Sequence, residues 1–370
     1  MRTHNHLRNR HGGFTIMELL IAMLVAIVAM LAISQVLVVN NRYQRSTVGT
    51  SDAQTTGTLA LHVIETDGRM AGFGISNSSL LGCGQLRYYF NNGTPCGTSC
   101  YSSIVDPASD KPVLTFAPVE IIDGNAGGPD TITFLMASGA ERVIPGAIKT
   151  AMANAAADLD MYDVLGFQPG DMMAIHHPSL GCTLMQASAV NAATSKISHA
   201  DNAVSFPFNP PGAAGFDAYP KDSLVFNLGR PVANRYEINN NRLQVSSYFS
   251  INAATGAPLF NANPQVLYEQ VVNLQASYGK DTNGDGDVDV YDVIAPATSA
   301  DWIQVLTVRV ALLVRSKDQE KPVDGVCEAT TTAPTYTGGT FTIPGGMPSC
   351  FKYRAFETVI PLRNMIWREA

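Results

Sequence analysis

The stretch DTNGDGDVDVYD, Asp281 to Asp292, places five aspartates and one asparagine within twelve residues. Counting Asp281 as position 1, oxygen-bearing side chains fall at 3 (Asn283), 5 (Asp285), 7 (Asp287), 9 (Asp289) and 12 (Asp292), with Gly286 at position 6. Hard cations need many oxygens around one point, and this spacing with a turn glycine is that of a calcium loop. It predicts Ca2+ held by the side chains of Asp281, Asn283, Asp285 and Asp292. Asp287 would add its backbone carbonyl and Asp289 a bridging water. The competing reading is an acidic, solvated turn. It is disfavoured because five carboxylates this close repel one another unless a cation sits among them.

A second chemical signal is Glu18, a carboxylate inside the nearly all-apolar run from Phe14 to Val39. A charge in hydrocarbon is costly unless paired, so such a residue is functional more often than incidental. The bland alternative is a glutamate that snorkels to the headgroups from the helix start.

The six cysteines are Cys83, Cys96, Cys100, Cys182, Cys327 and Cys350. An even number in loop-like sequence predicts disulfides and an oxidising compartment. Cys96 and Cys100 lack a second Cys or His pair at zinc spacing. Cys327 and Cys350 flank a turn-rich excursion between two strand-like runs, so they are expected to pair. Cys182 must then bridge back to Cys83, Cys96 or Cys100, with the partner open. AIHHPSLGC places a serine near His176 and His177, but no GxSxG, HExxH, P-loop or dinucleotide fingerprint accompanies it. No catalytic residue is expected.

These residues need elements to position them. The chain has 370 residues, 46% of them hydrophobic, and a formal charge of −7. That length can bury a substantial core, and the acidic balance argues against nucleic acid as a partner. Residues 14–39 contain neither Pro nor Gly. As a helix they span roughly 39 Å, enough to cross a bilayer. Arg2, Arg8 and Arg10 precede the run. An amphipathic continuation over 40–70, carrying Leu61 and Ile64, extends the helix to about Asp67, with Gly68 and Gly72 expected to end it.

Beyond residue 70 the pattern is strands and Gly/Pro/Asn turns. VVNLQASYG alternates Val272, Leu274, Ala276 and Tyr278 against Asn273, Gln275 and Ser277. DTITFLMA and the run from Ile303 alternate similarly. The expected fold is α+β: one long N-terminal helix, then a mainly antiparallel β head over 71–370 with irregular insertions.

Gly13-Phe14-Thr15-Ile16-Met17-Glu18-Leu19 resembles the class III signal of type IV pilins and type II secretion pseudopilins. GRMAGFG (68–74), VVNLQASYGKDTNGDGD, VRVALLVRS and FETVIPLRN look like the PilW group of minor pilins. The resemblance is close over residues 13–40 and 268–364. It implies a basic leader, 1–13, removed by a prepilin peptidase after Gly13, and N-methylation of Phe14. Glu18 would then neutralise the new α-amine of a neighbouring subunit during assembly. It further implies an inner-membrane, single-pass subunit with a periplasmic head, later carried to the pilus at the cell surface of a Gram-negative bacterium. The implied partners are other minor pilins, the major pilin and the inner-membrane assembly platform, and the implied roles are pilus biogenesis, twitching motility and adhesion. Two alternatives stand beside it: a type II secretion pseudopilin of the J class, and a surface-binding adhesin at the pilus tip.

Overall fold

The computed structural model describes residues 15–83, 86–87, 89, 116–137, 144–201, 205–247, 250–251, 258–259, 264–320, 322, 325–327, 329–343 and 350–366. One helix, α1 (Ile16–Met70), precedes a mainly antiparallel β head. Thr15 and Glu18 start α1 with a reciprocal capping box: the Thr15 hydroxyl accepts from the Glu18 amide, and the Glu18 carboxylate accepts from the Thr15 amide. The helix is long and apolar enough to cross a membrane. Its apolar half is exposed along its length, with Ile21, Leu24, Val28 and Leu31 all more than half accessible.

The polar half of α1 docks on the head. Ala53, Ala60, Leu61 and Ile64 are buried at helical spacing, forming one stripe. Gly57 and Gly68 lie on this stripe and bring the helix backbone against the side chains of Phe356 and Ile360. Gly68 therefore does not end the helix as expected. Its missing side chain serves close packing instead, and α1 runs on to Met70. Ala71 caps it, and Gly72, at φ 82°, makes the turn away.

The surface beneath α1 is a four-stranded antiparallel sheet, ordered Val290–Asp292, Val271–Lys280, Val305–Arg315, Tyr353–Pro361. Leu274, Ala276, Tyr278, Val308, Val310, Leu312 and Ile360 form the core shared with α1. Val272 does not join its expected companions. The register shifts between Val271 and Asn273, and this bulge turns Val272 to the opposite face, against Leu313, Phe341 and Tyr353. The run read as alternating from Ile303 becomes strand only at Val305; Ile303 belongs to a short helix, α2 (Ser299–Ile303), whose Trp302 stands edge-on to Tyr278.

A five-stranded sheet continues the head, ordered Gln265–Glu269, Arg242–Ser247, Val232–Asn239, Thr131–Met136, Val119–Ile122. Met136 pairs directly with Val232, so residues 137–231 leave and re-enter the sheet at one point. With Leu86–Arg87, which pairs in parallel with Cys182–Thr183, this excursion builds a second sheet and a separate core around Ile148, Met161, Ile175 and Val225. Asp67, near the end of α1, accepts from Asn234 Nδ2 at 2.7 Å and from the Tyr236 hydroxyl at 2.6 Å. Burial and this carboxylate push the Tyr236 phenol strongly upward, so it stays a donor.

Candidate functional site

At the helix start, Glu18 lies one turn from where the apolar run begins. Its carboxylate accepts from both the amide and the hydroxyl of Thr15, each at 3.1 Å. A carboxylate at a helix N-terminus is favourable with the helix dipole. Gly13 and Phe14 lie outside the described residues.

The acidic loop joins strand 271–280 to strand 290–292, which pair antiparallel through Tyr278 and Asp292. Gly284 and Gly286, at φ 80° and 92°, let the backbone curl around Asp281. Asp281 is buried, and its two oxygens accept from Gly284 N at 2.6 Å and Gly286 N at 2.8 Å. Asn283 Oδ1 accepts from Asp285 N, and Asp285 Oδ1 accepts from Asp287 N, both at 2.9 Å. Asp289 Oδ2 accepts from the hydroxyl and amide of Thr282, bonds that hold its carboxyl below the usual carboxylate range.

Asp292 sits apart from this ring of bonds. Its Oδ1 is 2.6 Å from Lys280 Nζ and also accepts from Ile294 N at 2.9 Å. Four of the five carboxylates, those of Asp281, Asp285, Asp289 and Asp292, are thus met by amide, hydroxyl or ammonium donors, which relieves their repulsion. Among the described residues, no three acidic, His or Cys side chains are gathered as a metal-ready group. Lys280 escaped the sequence reading. Its one signal was a lysine directly before an acidic loop.

The cysteines close two bridges among the described residues, Cys83–Cys182 and Cys327–Cys350. The first ties the turn after α1 to the excursion over 137–231. The second closes the segment that carries a hairpin of Thr335–Tyr336 and Gly339–Thr340. Cys96 and Cys100 lie outside the described residues. His177 Nδ1 meets the Ser179 hydroxyl at 2.8 Å and accepts from the Ser179 amide at 3.3 Å. Both contacts close the turn between strands Met172–His177 and Gly181–Gln186.

The four-stranded sheet, the acidic loop and the terminal helix α3 (Arg363–Ile366) fall almost entirely within one recognisable segment. Residues 240–364 match the PilW family, Type IV Pilus-assembly protein W. The PilW match begins at the turn before strand 242–247. It therefore leaves out α1 and the excursion over 137–231. Among solved structures, a type IV-like pilin from Thermus thermophilus is similar at 15% identity, covering 54% of this chain and 86% of that one, with a TM-score of 0.23. No curated protein matches the chain.

Proposed function

We propose that this chain is a minor pilin of the PilW type, processed by prepilin peptidase after Gly13 and methylated on Phe14. The carrying observation is the division of α1. Its first half is apolar and exposed, and its second half is docked on a head whose C-terminal segment matches PilW. Such a helix can lie in a bilayer before assembly and among other helices afterwards, while the head remains in water. Head-to-tail contacts that do not close generate a filament.

Glu18 is assigned to assembly. Before incorporation its carboxylate completes the capping box with Thr15. A neighbouring subunit's α-amine then offers it a full opposite charge, which is a stronger partner in low dielectric than a neutral amide. The partners are other minor pilins, the major pilin and the inner-membrane platform, and the protein is held in the membrane until use. The roles are filament biogenesis and, through the filament, twitching and adhesion. No catalytic step is assigned.

The test is Glu18→Ala in the native host. The variant should insert and be cleaved, with N-methyl-Phe at its terminus by mass spectrometry, yet be missing from sheared pili. Its normal incorporation would remove the role given to Glu18. Loss of type II secretion with pili intact would favour the J-class pseudopilin.

We also infer that the loop 281–292 binds Ca2+ in a structural role. Asp281, Asn283, Asp285 and Asp289 already face a tightly curled backbone, and the chain can add the Asp287 carbonyl. Asp292 would have to leave Lys280 to join them. Binding then links the loop to the strand pairing at Tyr278 and Asp292.

A further inference from the structure

The larger sheets end on strands whose outer edges are closed in different ways. Strand Val290–Asp292 is three residues long and adjoins the acidic loop. Shortness and charge blunt an edge against pairing. Strand Gln265–Glu269 meets its neighbour across a register shift between Leu243 and Gln244. On strand Val119–Ile122, the Ile121 amide donates to the Tyr278 hydroxyl at 2.7 Å. In the sheet of the excursion, the edge strands Leu86–Arg87 and Ala189–Asn191 are two and three residues long.

Strand Tyr353–Pro361 has none of these devices along its length. It runs nine residues beside strand 305–315 with no shift in register. Bonds just beyond its two ends set the phase of the ladder: Leu362 N donates to Leu306 O, and Ser316 N donates to Lys352 O. Even-numbered residues from 354 to 360 therefore bond inward, and Ala355, Glu357 and Val359 turn both backbone groups outward. Among the described residues, nothing bonds these outward groups. Glu357 is exposed although its side chain is only 25% accessible, as an uncovered backbone requires. The edge is closed only at its ends. Thr330 Oγ1 accepts from Tyr353 N at 3.0 Å and donates to Phe351 O at 3.1 Å, and Pro361 has no amide to offer.

The side chains beside the edge select what can lie against it, because cross-strand neighbours share a face. On the face away from α1, Val359 is 43% exposed, and Glu357 is already paired with Arg309. On the α1 face, Arg354 is exposed and, among the described residues, has no ion-pair partner. An added strand would complete the ladder with its backbone, cover Val359 with an apolar side chain and meet Arg354 with an acidic one. Antiparallel pairing with a second copy of this strand supplies no such acid. Pairing through the outward groups sets odd positions against odd and even against even. Arg354 could then face only even-numbered residues, and the one acid of the strand, Glu357, is odd. We propose that strand Tyr353–Pro361 is the docking edge for an extended segment of a partner protein, which joins the four-stranded sheet as a fifth strand with an acidic residue beside Arg354.

The test uses the full chain in detergent and synthetic peptides that alternate valine with threonine, one threonine being replaced by glutamate. Comparator peptides carry lysine at that place, or an N-methyl group on every amide. The glutamate peptide should bind and slow hydrogen exchange at the amides of Ala355, Glu357 and Val359. The lysine peptide should bind about tenfold or more weakly, and the N-methylated peptide not at all. Val359→Pro removes an outward donor that the ladder does not use, so it should keep the melting temperature and weaken binding by about tenfold or more. Should that variant fail to fold, Arg354→Glu serves in its place and should reverse the preference between the glutamate and lysine peptides. No slowing of exchange at the three amides, equal binding of the comparators, or an unchanged preference in Arg354→Glu would each overturn the proposal. Dimerisation in the ultracentrifuge without peptide binding would give the edge to a second copy and overturn it too. None of these outcomes depends on filament assembly, so failure here leaves the pilin reading untouched.

Discussion

Gly57 of α1 and Phe356 of the strand beneath it occupy the same space to the limit: a Cβ at position 57 would lie 2.3 Å from a carbon of the Phe356 ring. The ring is rigid and wedged under the helix. Gly57→Ala recovers up to ~1 kcal/mol of helix propensity but overpacks the interface, at a cost of ~1–3 kcal/mol. A net loss of about 1–2 kcal/mol is expected, read as a lower urea midpoint. Thr58→Ala, one residue along on the exposed face, should be neutral or mildly stabilising. Equal behaviour of the two variants would show that helix and sheet are not in this close contact.

Asp67 accepts one side-chain hydrogen bond from Asn234 and one from Tyr236. Asp67→Ala leaves a buried phenol and an amide without their partner. The expected cost is ~2–3 kcal/mol. Tyr236→Phe, which removes one donor and keeps the ring, should cost less. Chemical denaturation of the three proteins in the same detergent orders them.

Asp130 is 1% exposed, and its carboxylate accepts from Gly124 N at 2.9 Å and Ala276 N at 2.7 Å. Desolvation outweighs these bonds and raises its pKa from the ordinary carboxylate range to about 6. The folded state therefore holds this proton more tightly than the unfolded state. The resulting stabilisation is full below the unfolded pKa and lost as pH rises through about 6. The stability of the wild type relative to Asp130→Asn should rise as pH is lowered through that window. A flat difference across it, from unfolding midpoints at each pH, would contradict the assignment.

Lys280 competes with any cation for Asp292. Lys280→Ala should therefore tighten calcium binding, and Asp285→Ala should weaken it strongly. Calcium at a hundredfold over its dissociation constant should stabilise the fold by about 2.7 kcal/mol, seen as a higher melting temperature that chelator reverses. If calcium gives neither heat of binding nor a melting shift, the loop is an acidic turn closed by its own amides.

Local patterns announced the local elements. The apolar run free of Gly and Pro reads as a helix, because periodicity acts over one or two turns; the reciprocal cap between Thr15 and Glu18 came only from the structure. The alternation of Leu274, Ala276 and Tyr278 reads as a strand, because side chains on a strand change face at every residue. The acidic loop of 281–292 was visible as a loop in the sequence, but the pairing of Asp292 with Lys280 was not.

Contacts between distant parts of the chain were decided only by the tertiary structure. The bulge at Val271–Asn273 sends Val272 to the outer face, and it is visible only in the pairing with strand 305–315. Gly68 reads as a helix stop in sequence, but it packs against Ile360 and Phe134 inside the helix. Cys182 could have joined any of three cysteines, and the position of strand 181–186 beside the turn after α1 selects Cys83. Met136 and Val232, far apart in sequence, are neighbours in the ladder, which only the strand pairing shows. Composition and period specify which residues are buried, and chain topology specifies which of them meet.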